Sequence, residues 1–392
     1  MHASFNPIQQ TMKSSTKPIA AYTVAQEVAE SIMPHFLRHV MAAGSRGKPS
    51  APLPQNETIA GMIHAAFWAS LRREEGFVPK ISLAFVPPEV SSHPLLFAQA
   101  LPLEPEALAR LGPAVEQAGI HLGVWGRAEQ LSVWGTTRSL PPYCFVLEVV
   151  APGILVLKHS PGEESGKFGN VAVLEGDKIK ILAVHPEGTD NGSAHMRSLL
   201  QMTSIGDPGT EANVLPQLAI SMRGHRHGGT LLVVPNDSTE WRESIRSIAY
   251  PLEPFAELTE LIRQDGDGTS RWRWQKNLRH SIQAIAELTA VDGATVMAQD
   301  YCVLAFGAKI RRRGNAPMIE KVLLSEPVQG TVAEVIDPAQ LGGTRHVSAA
   351  QFVHDQRDAY ALVASQDGRF TLMAWSHYNS IVEAHRIEAL LL

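Results

Sequence analysis

Hydrophobic residues along the chain follow two different periods, and each period predicts one type of secondary structure. Between residues 23 and 41 apolar side chains recur at every fourth position, from Val24 to Val40, which predicts an amphipathic helix. Further helical patterns cover 58–72, 105–118, 213–223, 274–290 and 348–355. Short β-rich runs predict strands at 80–86, 121–125, 131–134, 143–150, 153–158, 169–174, 178–184, 230–234, 295–297, 302–306, 360–365 and 370–374.

Linker-forming residues divide these elements into three parts. Residues 1–56 hold a polar start, the first helix and a linker rich in Gly, Pro and Ser. Residues 57–195 predict an α+β unit with an antiparallel sheet, because hairpin turns join most of their strands. Residues 205–392 alternate strands with helices, which predicts a mixed β-sheet flanked by helices. The sequence therefore predicts an α/β protein with two domains.

Composition limits the classes of protein to which the chain can belong. Its 392 residues are 44% apolar and 19% charged, as in ordinary globular proteins, and the net charge is −5. That charge gives no general affinity for nucleic acid or anionic membranes, so we expect neither as a partner. The sequence shows no secretory signal and no apolar run long enough to span a bilayer. We therefore expect a cytoplasmic protein.

Cysteine and tryptophan both allow a functional and a structural interpretation. Cys144 and Cys302 lie in apolar runs, so we expect buried, reduced thiols rather than a disulfide framework or a cysteine zinc site. Trp125 and Trp134 each precede a glycine, which suggests either platforms for stacking a base or ordinary packing at strand ends. We favour packing for both.

Two polar stretches have the same ambiguity. His225 and His227 form a His-x-His pattern, but no third ligand stands at suitable spacing, so a polar turn before a strand is favoured over a metal site. The arginines 311–313 form either a solvated loop or a guide for an anionic ligand. A solvated loop is the simpler interpretation.

The strongest candidate chemistry lies in two short motifs. Asp292, Gly293 and Ala294 join a predicted helix directly to a strand, and the stretch from Gly343 to His346 precedes another helix. A helix start preceded by Gly, Thr and Arg favours anion binding, and a carboxylate nearby can hold a divalent metal against that anion. This predicts a nucleotide phosphate site. Alternatively, Asp292 caps a turn and the Arg345 stretch is a solvated turn.

Four motifs stand in one order along the second domain, and together they resemble the diadenylate cyclase (DAC) domain. They are the stretch 228–234 after a helix, Asp-Gly-Ala at 292–294, Gly-Thr-Arg-His at 343–346 followed by Ala-Ala at 349–350, and the strand 361–365 ending in Gln-Asp-Gly. The resemblance extends over about 205–378. It points to the divergent, sensor-type branch called DACNV, whose N-terminal extension would cover much of 57–195.

The resemblance implies a set of ligands and roles. Active members of the family join two ATP molecules into cyclic di-AMP across a face-to-face pair of domains, using Mg²⁺ or Mn²⁺, so it implies a nucleotide ligand (ATP or a cyclic dinucleotide), a metal and a homo-oligomer. Asp292 would hold the metal and act in catalysis. The implied ligand contacts are Gly293, Ala294, Gly343, Thr344, Arg345, His346 and Ser365. Ser365 alternatively is only a strand-end residue.

The departures from the family pattern bear on activity. Val347 stands where the family has a second arginine, and Gln366 and Asp367 replace two glutamates. Binding of a ground state survives such losses better than turnover does. We therefore expect a nucleotide or cyclic-dinucleotide sensor. The alternatives are an active metal-dependent diadenylate cyclase and an interaction scaffold without a ligand.

Overall fold

The chain folds into two mixed β-sheets that are flanked by seven α-helices, as a computed structural model of the described residues shows, so the predicted α/β class is confirmed. The structure describes residues 22–43, 51–74, 76–91, 94–117, 119–127, 130–161, 168–184, 214–264 and 271–392. The predicted polar start and most of the linker lie outside these residues, as do residues 186–193, whose Gly, Asp and Asn content predicts a loop between the two domains.

The first sheet has eight strands in the order β2-β4-β3-β1-β5-β6-β7-β8. Its strands are β1 (Ile81–Phe85), β2 (Leu95–Pro102), β3 (His121–Trp125), β4 (Ser132–Thr137), β5 (Phe145–Ala151), β6 (Ile154–His159), β7 (Gly169–Glu175) and β8 (Lys178–Ile181). The helices beside it are α1 (Val24–Ala42), α2 (Asn56–Ser70) and α3 (Pro105–Leu111). The predicted stripe on α1 is confirmed, because Val28, Ile32 and Phe36 are buried in one core with α2 and the sheet.

Two expectations for this part were wrong. The sheet is not purely antiparallel, since β1 and β3 run parallel with Leu83 opposite Leu122. The helix predicted over 105–118 ends at Leu111, and a 3-10 turn at Gly112–Val115 follows. Pro113 explains this break, because a proline in a helix interior cannot donate the required hydrogen bond.

The second sheet has nine strands in the order β10-β12-β11-β9-β15-β16-β17-β13-β14. Its strands are β9 (Gly229–Val234), β10 (Ile245–Phe255), β11 (Ala294–Ala298), β12 (Val303–Ile310), β13 (Val322–Ser325), β14 (Glu334–Ile336), β15 (Tyr360–Ala364), β16 (Phe370–Ser376) and β17 (Ile381–Arg386). The helices are α4 (Val214–Gly224), α5 (Glu257–Gln264), α6 (Arg271–Leu288) and α7 (Thr344–Asp355). Strand β12 continues through Gly307, where we expected it to end.

The two sheets share apolar packing and backbone contacts. One buried cluster contains Val156 on β6, Val173 on β7 and Leu182, which follows β8, together with residues of α4 and α6. The backbone also crosses between the units, because the Ala183 amide donates to the Pro327 carbonyl at 2.9 Å. No helix in the described part of the chain combines the length and apolarity that crossing a bilayer requires.

Candidate functional site

The strand ends that build the candidate site meet at one edge of the second sheet. In the antiparallel pair of β11 and β12, Ala294 at the start of β11 lies opposite Ala308 near the end of β12. In the pair of β9 and β15, Gly229 lies opposite Ala364. Since β9 and β11 run parallel, all four ends lie together. Residues far apart in the sequence are thereby brought to one place.

Helix α7 contributes its N-terminus to this edge. We expected it to begin at Ser348, but it begins at Thr344 with Gly343 as its N-cap. Thr344, Arg345 and His346 therefore form the first helical turn and not a loop ahead of the helix. The first backbone amides of a helix lack partners within it, and the helix dipole adds partial positive charge there, so this end favours an anion.

An open cavity of about 570 Å³ lies between the strand ends and this helix turn. That volume is within the range of pockets that hold small ligands. All eight residues that the sequence singled out line it: Asp292, Gly293, Ala294, Gly343, Thr344, Arg345, His346 and Ser365. The structure thus brings them together, and their individual roles stay predictions.

Lys309 on β12 was missed by the sequence interpretation and carries the shortest polar contact of the cavity. Its ammonium donates a hydrogen bond to Asp292 Oδ2 at 2.5 Å. This bond and the lysine charge hold the pKa of Asp292 below its ordinary value of 3.8, and the charge of Arg345 acts in the same direction. The Asp292 side chain is 92% exposed, so a ligand in the cavity can reach it.

Arg345 runs beside the glycine that precedes β9. A Cβ atom added to Gly228 would lie 2.7 Å from Arg345 Nη1 and 3.2 Å from the carbonyl oxygen of Ala364. Gly228 therefore leaves room for the guanidinium at the sheet edge, and its φ of +70° also favours glycine. The Gln366 amide donates to the carbonyl of His227 at 3.3 Å, which ties the end of β15 to the same turn.

His346 differs from a simple phosphate ligand. The residue is 3% exposed, and its Nε2 is buried with no hydrogen-bond partner among the described residues. Burial lowers the pKa of His346, while the charge of Asp367 partly opposes that shift. His346 is therefore a neutral side chain that packs behind the helix turn. A ligand reaches its unsatisfied nitrogen only by entering the wall of the cavity.

Gly293 has a structural task that the sequence did not reveal. Its φ is +115°, and an added Cβ would lie 2.5 Å from the carbonyl carbon of Gly307. The glycine thus permits the close approach of the β12 backbone, and not only that of a ligand. This approach is also what places Lys309 beside Asp292.

The lining residues fit a divalent metal poorly. Among the described residues of the cavity Asp292 is the only carboxylate, and the Lys309 ammonium already neutralises it. The hydroxyls of Thr230, Thr344 and Ser365 are neutral donors that bind Mg²⁺ weakly without further carboxylates. In the described part of the chain no three His, Cys, Asp or Glu side chains gather in a metal-binding arrangement.

The tryptophans and cysteines, for which the sequence allowed two interpretations, have structural surroundings. Trp134 is buried and its indole N–H donates to the carbonyl of Val86 at 2.8 Å, which agrees with packing. Trp125 packs against Phe85 at 4.8 Å between ring centres. Cys144 is buried, and burial raises its pKa to about 12. Cys302 is only half-buried, contrary to expectation.

The histidine pair and the arginine run also have local partners. The His227 amide donates to His225 Nδ1 at 3.1 Å, and His225 Nε2 lies 3.3 Å from the Thr289 hydroxyl, as expected for a polar turn. Arg313 pairs with Glu243 at 2.7 Å, so part of this run is not a freely solvated loop.

Comparison with known proteins gives one family match. Residues 48–138 match the family described as "Probable sensor domain DACNV". The match overlaps the predicted DACNV-type extension and includes α2, α3 and β1 to β4. It lies outside 205–378, so the diadenylate cyclase resemblance of the second unit stays a prediction. No curated protein matches the chain.

Two solved structures share partial, weak likeness. A hypothetical membrane spanning protein from Bacillus cereus is 18% identical, with a TM-score of 0.25 over 45% of this chain and 63% of that one. A double mutant of DacA from Staphylococcus aureus is 12% identical, with a TM-score of 0.24 over 49% of this chain and 89% of that one. The chain spans less than two thirds of the first protein's length, and scores this low support no statement about function.

Proposed function

We propose that the chain is a sensor that binds the phosphate groups of a nucleotide, ATP or a cyclic dinucleotide, in the cavity at the start of α7. The observation that carries this proposal is the shared position of Arg345 and Lys309, two cations that line one open cavity at a helix N-terminus. A guanidinium offers paired hydrogen bonds to phosphate oxygens, and the helix end adds further N–H donors.

A sensor is favoured over a cyclase by the state of Asp292. Its carboxylate is paired with Lys309 at 2.5 Å through Oδ2, so a divalent cation would have to compete with an ammonium for that oxygen. Val347 supplies no charge where the family pattern has an arginine. Phosphoryl transfer depends on positioning and on neutralising developing charge, and one cation for that neutralisation is missing here. Lys309 can instead turn toward phosphate, which adds to binding without turnover.

Calorimetric titration of the full chain with ATP, cyclic di-AMP and adenosine tests the binding. We expect heat from a phosphate-bearing ligand and none from adenosine. Arg345→Gln should weaken binding about ten- to a hundredfold, because a hydrogen bond to a charged group contributes about 1.5–3 kcal/mol. The matched control is Arg279→Gln, an exposed arginine on α6 outside the cavity lining.

Three outcomes would reject the sensor. Absence of binding to every phosphate ligand by folded protein would favour the scaffold alternative, as would equal binding by wild type and Arg345→Gln. Incubation with ATP and Mg²⁺ or Mn²⁺ examines the cyclase alternative, and we expect no cyclic dinucleotide. Product that disappears in Asp292→Asn would establish the cyclase instead.

A further inference from the structure

A second cavity of about 690 Å³ lies on the first sheet and shares no lining residue with the candidate nucleotide cavity. Ser82 and Glu148 point into it and alternate along their strands with Leu83 and Leu147, which face the core under α1 and α2. The cavity is therefore on the opposite face of the sheet from these helices. The second unit closes it with Ile220 of α4 and the terminal turn that includes Leu390.

Four polar side chains cross the floor of this cavity on adjacent strands. They are Ser82 on β1, Glu148 on β5, Lys158 on β6 and Asn170 on β7. Ser82 lies directly opposite Glu148 in the strand register, and Lys158 lies opposite Asn170. Lys158 donates to Glu148 Oε2 at 2.6 Å although it is only 9% exposed. A lysine this buried is rare without a paired charge.

Two side chains of this polar row contact the backbone of the last described residue. Lys158 Nζ lies 3.3 Å from the backbone oxygen of Leu392, and the Asn170 amide donates to the same oxygen at 3.1 Å. Two donors thus meet at one oxygen of an aliphatic residue, and the Asn170 amide also lies 3.3 Å and 3.4 Å from the carbonyl oxygens of Ala389 and Leu390. The walls are also largely apolar, with Val115, Ile120 and Phe168 among them.

We propose that this cavity binds a small aliphatic α-amino acid as a zwitterion. The ligand carboxylate takes the place of the Leu392 oxygen at Lys158 and Asn170, its ammonium pairs with Glu148, and its side chain lies against the apolar walls. The Lys158–Glu148 pair is neutral as a whole, and a buried net charge is costly. A ligand with one charge of each sign is therefore preferred over a simple carboxylate or amine.

This assignment does not depend on the nucleotide site, since none of its residues line the other cavity. It gives the first sheet a ligand of its own. Binding also competes with the docking of the terminal turn, because that turn's oxygen uses the same two donors. Occupancy of the cavity is thereby linked to a contact between the two sheets.

Titration of the full chain with leucine tests the proposal, with 4-methylpentanoate and 3-methylbutylamine as matched ligands that each lack one charged group. We expect leucine to bind at least tenfold more tightly than either. Absence of leucine binding by folded wild type, or equal binding of 4-methylpentanoate, would overturn the assignment. These measurements need no variant and so do not depend on a substitution being tolerated.

Variants then locate the site. The double change Glu148→Gln with Lys158→Met removes both charges together, so neither is left unpaired, and it should weaken leucine binding at least tenfold. Lys178→Met, at an exposed lysine on β8 outside the cavity lining, is the matched control and should bind as wild type does. Arg345→Gln should also leave leucine binding unchanged. Unaltered binding by the folded double variant would refute the location.

Discussion

Lys309 and Asp292 stand 17 positions apart in the chain, and their side chains meet at 2.5 Å because β12 turns back along β11. The pair places a cation and an anion at the mouth of the candidate nucleotide cavity. A metal ion at this carboxylate would have to replace the lysine contact.

The Asp292 carboxyl should titrate closer to its ordinary value when the lysine is removed. Lys309 is the main cause of the lowered pKa, through its hydrogen bond and its charge, and Arg345 contributes in the same direction. In Lys309→Met we therefore expect a pKa of Asp292 that is higher than in the wild type. NMR titration of the side-chain carbonyl measures it. Lys321→Met, at an exposed lysine outside the cavity lining, is the control, and an unchanged pKa in Lys309→Met would show that the pair does not form.

A side chain at position 293 should force β11 and β12 apart. In Gly293→Ala the new Cβ would overlap the Gly307 backbone at a φ of +115°, so we expect a loss of about 2–4 kcal/mol in the free energy of unfolding. Urea denaturation monitored by circular dichroism measures this. Gly224→Ala, where an added Cβ meets nothing within 4 Å, should change stability by less than about 1 kcal/mol. Similar values for the two variants would contradict the close strand approach.

Mild acid should destabilise the first sheet through His121. Burial lowers the pKa of this histidine from 6.5 to about 4, and Lys158 acts in the same direction while Glu148 opposes it. As the pH falls, the unfolded chain therefore binds a proton at His121 near pH 6.5, whereas the native state binds it only near pH 4. Stability is full above this window and falls as the pH decreases through it, by on the order of 3 kcal/mol for this one group.

His121→Gln isolates this contribution from that of the other buried histidines, among them His39, whose pKa burial also lowers to about 4. Between pH 7 and 4 the free energy of unfolding should fall less steeply with decreasing pH in the variant. The difference in slope should correspond to about one proton. The exposed His377→Gln is the control and should keep the wild-type slope. A wild-type slope in His121→Gln would show that this histidine is protonated in the native state.

Trp134 should matter for stability and not for ligand binding. Trp134→Phe removes the donor to the Val86 carbonyl and leaves that buried oxygen unsatisfied, at a cost of about 1–3 kcal/mol. Nucleotide titration of the folded variant should give the wild-type affinity. Trp125→Phe, where the indole is only half-buried, should cost less. A weaker nucleotide affinity in Trp134→Phe would favour the stacking-platform interpretation.

Sequence patterns predicted the elements whose burial repeats with a regular period. The α1 stripe is an example, because Val28, Ile32 and Phe36 face one core. The strands β2, β10, β13, β14 and β17 and the helix α5 were missed. Of these, β2 and β10 form sheet edges and are exposed along almost their whole length, so their sequences alternate little. The start of α7 was placed four residues late, since its N-cap is Gly343 and no side chain marks it.

The candidate site was predictable where motifs carried it and not where tertiary contacts did. Asp292 and Arg345 belong to short patterns that a reader of the sequence can find. Lys309 lies in an unremarkable strand and acquires its place only through the register of β11 and β12. The burial of His346 likewise depends on the surrounding core, which no local pattern reports.

The buried cluster that holds Val156, Val173 and Leu182 together with α4 and α6 makes the two sheets poor candidates for separate expression. A fragment cut between residues 184 and 214 would uncover apolar surface on both products and would be prone to aggregate. The segment matched by the sensor-domain family, 48–138, stops between β4 and β5 and so omits half of its own sheet. Biochemical studies of this protein should therefore use point substitutions in the intact chain and not isolated fragments.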